Sequence, residues 1–376
     1  MPLYETVMQE KPPVILDIGT AYTKLGFAAE AFPRKIVPSE VILSSNGQTK
    51  ALFLYENIMD LYDQMVDFLH VIFFKHLLVS PKERKIVIVE NVFGQTIIRE
   101  ILALVFFRHF EVSSVLFLPT HLICLSSLAV QTAIVVDMGY SETTIVPVFC
   151  GVQIMQAFQD QSYGGKMVHE EIRKQLIDAN HTKAENISES LLEDIKIRTC
   201  FVTNLERANA YRNNTPPESP PSIDYPIDGD TIITIPGETR ETAFEYMFEN
   251  NNERNSLTHM ILQSLLKCPV DVRRQLADSI FVIGGSAIIM GLLPRLKAEL
   301  QYLLSNDHEY KAKLHPELQF KFHKSIGRQN FAAWLGGSLC GSTDLITTRS
   351  LVKESYLKKN RVPDWICLRD NRLAGS

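Results

Sequence analysis

The chain has no run of lysine or arginine long enough to form an electrostatic footprint for a phosphodiester backbone, and its formal net charge is −5 over 376 residues. Affinity for nucleic acid comes mainly from such basic patches, so no nucleic-acid partner is expected. Paired cysteines are missing too. Cys124, Cys150, Cys200, Cys268, Cys340 and Cys367 stand singly, mostly inside apolar stretches, with no spacing suited to zinc or to a disulfide framework. They read as buried thiols of a reducing compartment. The histidines, among them His70, His76, His109 and His169, lack the close pairing with Cys, Asp or Glu that a protein-built metal centre needs.

An uninterrupted apolar run is also absent. "MPLYETVMQEKPP" is polar and proline-rich where a secretory signal would be apolar, so none is expected. The nearest approach to a membrane span, Val112 to Val130, is broken by Pro119, His121 and several Ser and Thr. It reads as a strand, Val115 to Leu118, turning into a buried helix, and no membrane span is expected. The length exceeds what one ordinary core supports and predicts two domains or lobes.

Against these absences stands a repeat. "VILDIGTAYTKLGFA", from Val14, and "AIVVDMGYSETTIVPV", from Ala133, share a short apolar strand, an Asp, one apolar residue, a Gly, a polar turn and an apolar return strand. Between them lie an apolar strand, Lys85 to Asn91, a helical stretch with Ile97, Ile101, Leu104, Val105 and Arg108 at helical spacing, and the strand "SVLFLP". Alternation of this kind predicts a sheet covered by helices. "GGKMVHEEIRKQLIDAN" predicts a helix behind two glycines, with Val168, Ile172 and Leu176 on one face. Arg212 to Asp230, rich in proline, reads as a surface loop, and "FENNNERN", Phe248 to Asn255, as a second polar break. "SIFVIGGSAIIMGLLPRLKAEL" reads as strand, Gly-Gly turn and helix, and "AAWLGGSLCGS" as another glycine-rich turn.

A turn that aims backbone N–H groups at one spot, beside a carboxylate at a strand end, can hold a polyphosphate and its Mg²⁺. Asp17 and Asp137 would reach the metal through water. Gly19 and Gly139 admit close approach, Thr20 and Ser141 add hydroxyls, and Lys24 adds a charge. Each segment alone is equally a plain hairpin with an Asp-x-Gly turn. Gly284, Gly285 and Ser286 offer either a flat seat for an adenine ring or close helix packing after a strand. Lys196 either touches the nucleotide or is a solvated lysine on an amphipathic helix.

Taken in order, these segments resemble the actin family almost from end to end. "LDIGTAYTKLGFAAEAFPRKIVPS" and "IVVDMGYSETTIVPVFCG" resemble its two phosphate segments, "EDIKIRTCFV" its adenosine-side helix, "LKCPVDVRRQLADSIFVIGGS" its adenine segment and "AAWLGGS" its closing one. The resemblance implies an actin-like α/β fold, two duplicated α/β domains around a nucleotide cleft, holding ATP or ADP with Mg²⁺. The first lobe would comprise residues 1–127 and 332–376, with 39–64 a shortened outer subdomain. The second would comprise 128–331, with 164–252 an inserted outer subdomain.

The departures shape the functional expectation. Thr120 stands where actins place the glutamine that orients the attacking water, and Thr144 where they place an assisting histidine. Ile197, Asn330 and Tyr140 replace a ribose-binding glutamate, a lysine near the base and an acid of the second turn. Positioned water supplies much of the lowering of the barrier in phosphoryl transfer, so slow or absent hydrolysis is expected, and no enzyme. The segment after Pro38 is short for an actin's outer subdomain, which in filaments grips the neighbour on the pointed side. A subunit without it docks by one end only and terminates growth. Within the family this combination resembles the divergent actin-related subunits at the pointed end of dynactin. The implied partners are dynactin's actin-related filament subunit and pointed-end accessory subunits, in the cytoplasm and on the cytoskeleton, without homopolymer formation. A nuclear actin-related subunit of a chromatin remodeller and a slow actin-like ATPase are the alternatives.

Overall fold

Strands buried on both faces read as near-continuous apolar runs, and "VILDI", "KIVIVE" and "SVLFLP" are such runs. In the computed structural model, which describes residues 11–42, 47, 49–179, 187–227, 232–249 and 256–363, they are the parallel centre of a six-stranded sheet. Two compact units are present, one made of Met1–Ala129 with Phe331–Ser376, the other of Val130–Asn330.

In the first unit the sheet runs, edge to edge, Leu351–Val352, Ser114–Pro119, Lys85–Glu90, Val14–Ile18, Tyr22–Phe27, Lys35–Pro38. Val14–Ile18 pairs parallel with Lys85–Glu90 and antiparallel with Tyr22–Phe27. The helix Thr96–Leu104 continues through a wider π turn to His109, and Ile58–Val71 does the same to Leu77, ending on Leu78 in the left-handed region. Both helices send Leu61, Met65, Phe73, Phe106 and Phe107 into one core with Val14, Leu16 and Leu25.

The opposite face of the sheet is covered by "AAWLGGSLCG", which is a helix, Ala332–Gly341, and not the turn its glycines suggest. Glycine disfavours a helix by roughly 1 kcal/mol relative to alanine, but here it allows contact. A Cβ at 336 would stand 2.0 Å from the Ile123 carbonyl oxygen, and one at 337 would stand 2.6 Å from the Val89 side chain. Trp334, fully buried, donates its indole N–H to the Ile15 carbonyl at 3.2 Å.

The segment after Pro38 forms one short hairpin, Glu40–Ile42 against Thr49–Ala51, followed by the helix Ile58–Val71. Asn57 caps that helix, accepting from the Met59 and Asp60 amides at 3.0 Å. Lys50 bridges to Asp60 at 3.0 Å. Val41 and Leu52 are buried in the core shared with Leu61 and Met65, so the described part of the hairpin packs into the unit's own core.

The second unit repeats the arrangement. Ala133–Met138 pairs antiparallel with Thr143–Phe149 and parallel with Ile280–Ile283. The two short strands Val152–Gln153 and Gln159–Gln161 pair with Thr143–Phe149. The helix Gly165–Asp178 buries Val168, Ile172 and Leu176, with Ile261 and Leu265 of the helix Leu257–Lys267 in the same core.

Three expectations are corrected. The proline-rich stretch is not all loop, because Ile223–Pro226 pairs with Ile232–Ile235 as a two-stranded ribbon. Phe248 at the head of the second polar break is buried, while 250–255 lie outside the described residues. Cys150 is exposed, at a left-handed position beyond the strand Thr143–Phe149, where Cys124, Cys200, Cys268 and Cys340 are buried as expected; Cys367 lies outside the described residues. Among the described residues no helix is long and apolar enough to cross a membrane.

Candidate nucleotide site

In the first unit the hairpin turn is built by backbone need. The Gly19 N–H donates to the Tyr22 carbonyl at 3.2 Å, and a Cβ at 19 would lie 2.8 Å from that same oxygen. Ser39 donates its hydroxyl to the Gly19 carbonyl at 2.6 Å and shares a hydrogen bond with Thr23 at 2.8 Å. Register places Asp17 opposite Lys24, and the two form an ion pair at 3.1 Å. Thr20 is exposed at the turn. A paired carboxylate and ammonium beside a tight glycine turn can meet a hydrated cation and an anion together.

In the second unit Asp137 pairs with Thr144 across the hairpin and with Ile283 on the other side. The Gly139 N–H donates to the Glu142 carbonyl at 2.9 Å. This turn is fastened from two directions: the Gly139 carbonyl accepts from the Gly165 amide at 3.1 Å and the Ser286 hydroxyl at 3.0 Å, and the Tyr140 carbonyl accepts from the Lys166 amide at 2.9 Å. Ser141 lies exposed on the turn. Gly284 has φ +99°, and a Cβ there would stand 2.3 Å from the Met138 carbonyl and 2.7 Å from the Asp137 carboxylate. Only glycine fits that position. Gly285 has open space where a Cβ would be. The adjoining Asn330 carries a buried amide oxygen without a hydrogen-bond partner, and its neighbour Gln329 accepts the Gly284 N–H at 3.0 Å.

Lys196 overturns the solvated alternative, because it is only 3% exposed. Its ammonium donates to Glu193 at 2.5 Å and lies 3.2 Å from His169 Nε2. His169, 2% exposed, has Glu189 at 2.8 Å from Nδ1 and Glu193 at 2.9 Å from Nε2. His169 thus has two acidic neighbours in space, although among the described residues no group of three or more His, Cys, Asp or Glu could hold a metal ion. Tyr140 donates its hydroxyl to Glu189 at 3.0 Å, and Arg173 bridges to Glu189 at 3.0 Å. Burial pushes the Glu193 carboxyl up, but the His169 hydrogen bond and the Lys196 charge outweigh it and hold the group at about 2. Burial likewise pushes Glu189 up, and hydrogen bonds from His169, Tyr140 and Arg173 bring it below its ordinary value. Burial, then the Glu189 charge, pushes the Tyr140 hydroxyl up.

Sequence reasoning missed this cluster, although a signal existed. In "ESLLEDIK" Glu189, Glu193 and Lys196 recur at four and three residues, one face of the helix Glu189–Thr199. Thr120 and Thr144 are both buried, Thr120 just beyond the strand Ser114–Pro119 and Thr144 opposite Asp137. Ile197 is about half exposed, at 48%.

Two α/β units, each with a strand–Asp–x–Gly hairpin beside a parallel strand, define the actin-like class of α/β proteins. A family model described as Actin matches residues 8–362, and the chain belongs to the actin family. It is similar to Actin-related protein 10 of Dictyostelium discoideum, at 27% identity over 436 aligned positions that cover 95% of this chain and 90% of that protein. Proteins of this fold generally bind nucleotide with a divalent metal.

Proposed function

We propose that the chain is a non-catalytic actin-related subunit that caps the pointed end of dynactin's short actin-like filament and helps seat the accessory subunits there. In that role it supports dynein-based transport on microtubules as part of the cytoplasmic cytoskeleton. One observation carries the reading: among the described residues, the outer piece of the first unit is a short hairpin, and Val41 within it and Leu52 just after it are absorbed into the unit's own core. A gripping subdomain needs a projecting surface, and a heterologous filament contact propagates only while both of its surfaces exist. The likeness to Actin-related protein 10 supports the actin-related part of this assignment.

ATP or ADP with Mg²⁺ serves as a structural ligand in this reading. The hairpin residues fit it. In the first unit Asp17 would face a hydrated metal, with Gly19, Thr20 and Lys24 toward phosphate; in the second unit Asp137 would do the same, with Gly139 and Ser141 toward phosphate and Gly284, Gly285 and Ser286 toward the base. The open space at Gly285 and the unpaired amide oxygen of Asn330 are the features that admit such a group. Bound nucleotide supplies phosphate charge and a divalent cation. This chain's own residues bind and orient it, while Thr120 and Thr144 are too short to position an attacking water as a glutamine and a histidine would.

The assignment is tested by purifying the tagged chain from cells through a density gradient and identifying the co-migrating proteins. A single large complex holding one actin-related filament subunit and dynactin components is expected. Recovery in a nuclear remodelling complex instead would overturn it.

A further inference from the structure

Three side-chain ends converge on one point in the second unit. Around the position where a Cβ on Gly165 would lie, the Tyr140 ring stands at 3.2 Å, the Lys196 ammonium at 3.3 Å and the Ser286 hydroxyl at 3.4 Å. Gly165 is the first residue of a 14-residue helix, so the ammonium sits at the end whose exposed N–H groups carry partial positive charge. A cation is disfavoured there unless an anion accompanies it. In this chain the anions are internal: Glu193 contacts Lys196 at 2.5 Å, and Glu189 and Glu193 contact the two nitrogens of His169 at 2.8 and 2.9 Å.

We propose that Tyr140, His169, Glu189, Glu193 and Lys196 form an internal latch in which Glu193 takes the place of an external anion and withholds Lys196 from a nucleotide. The inference rests on the nucleotide reading of this site and is independent of the pointed-end assignment. The latch accounts for the burial of Lys196 by an internal partner, Glu193. Its ammonium is already satisfied by a charge-assisted hydrogen bond, the stronger kind, and an incoming nucleotide gains this lysine only by displacing Glu193. The remaining charged groups close the arrangement instead of opening it. Arg173 on the helix Gly165–Asp178 holds Glu189 at 3.0 Å, and Lys166 of the same helix pairs with Glu170 at 4.0 Å. The hairpin turn contributes the Tyr140 hydroxyl, on Glu189 at 3.0 Å. Glu193 is therefore a positioning residue that sets affinity through Lys196.

The test uses the full chain and Mg·ATP, with affinity read by calorimetry. Glu193→Gln keeps the shape and removes the charge, and about tenfold tighter binding than the parent is expected, since each tenfold corresponds to loss of one modest competing interaction. Glu189→Gln, at the more exposed end of the network, folds more readily and gives a smaller gain, about threefold. Amine acetylation followed by mass spectrometry of the nucleotide-free parent supplies a reading that needs no variant. Lys196 is expected to resist modification while Lys166 and Lys174, more than half exposed, react freely. Equal or weaker ATP affinity in both variants overturns the latch, as does acetylation of Lys196 as fast as Lys174. Failure of the nucleotide reading has its own signature, no ATP binding by parent or variants with Lys196 still protected, and it overturns the proposal as well.

Discussion

Trp334 donates its indole N–H to the carbonyl of Ile15 at 3.2 Å, joining two positions 319 residues apart in the chain. The bond fixes the helix Ala332–Gly341 onto the sheet strand that carries Asp17, so the C-terminal part of the first unit supports the hairpin directly.

Truncating that contact should be costly. Trp334→Ala is expected to destabilise the fold by about 3–5 kcal/mol, the usual range for a buried aromatic. Gly336→Ala is expected to cost about 1–3 kcal/mol by overpacking, because the added methyl would stand 2.0 Å from the Ile123 carbonyl oxygen. Urea unfolding followed by circular dichroism measures both. A midpoint unchanged in either variant would contradict the packing described.

A second consequence concerns buried charge. The Arg295 side chain, 0% exposed, holds Glu245 at 2.8 Å and Glu299 at 3.0 Å, and Arg212 reaches Glu299 at 3.0 Å. Replacing Arg295 by Met leaves Glu245 with only its longer contact to Arg212, at 3.8 Å, and Glu299 with Arg212 alone. About 3–5 kcal/mol of stability should be lost, read as a lowered midpoint in the same unfolding experiment.

Acid should weaken the second unit in a defined window. Glu193 has a folded value of about 2 against an ordinary 4.5. A depressed carboxyl stabilises the fold fully above its unfolded value and loses that contribution as the pH falls through the folded one. Stability should therefore decline between about pH 4.5 and 2, and Glu193→Gln should flatten that slope. Unfolding midpoints measured across the window check the sign; an unchanged slope would contradict it.

Phosphate release should be indistinguishable from that of Asp137→Ala under conditions where the parent holds Mg·ATP. Thr120 and Thr144 are both buried, and a threonine hydroxyl extends too little from the backbone to hold a water in line. Release well above the Asp137→Ala level, measured by a coupled phosphate assay, would restore the ATPase alternative.

Much of the fold was legible because its signals are local. An apolar run ending in Asp-x-Gly specifies a strand and a tight turn within a few residues, and both hairpins, from Val14 and from Ala133, formed at the expected places. What was illegible depended on distant partners. Gly336 and Gly337 suggest a turn in isolation, and only the approach to Ile123 and Val89 makes them helical. Ile223–Pro226 looks like loop until Ile232–Ile235 pairs with it. At the candidate site the glycines announced themselves, and the spacing of Glu189, Glu193 and Lys196 marked one face of a helix, but the contact of that face with His169 on another helix was hidden, since spacing along one helix says nothing about what faces it.

The capping claim is tested most directly by imaging single filaments of the actin-related filament subunit grown with a fluorescently labelled form of this chain. The label is expected at one end only, with growth at that end stopped and mean length falling as the chain is added. Label distributed along the filaments with neighbours on both sides, or filaments of this chain alone, would contradict the account.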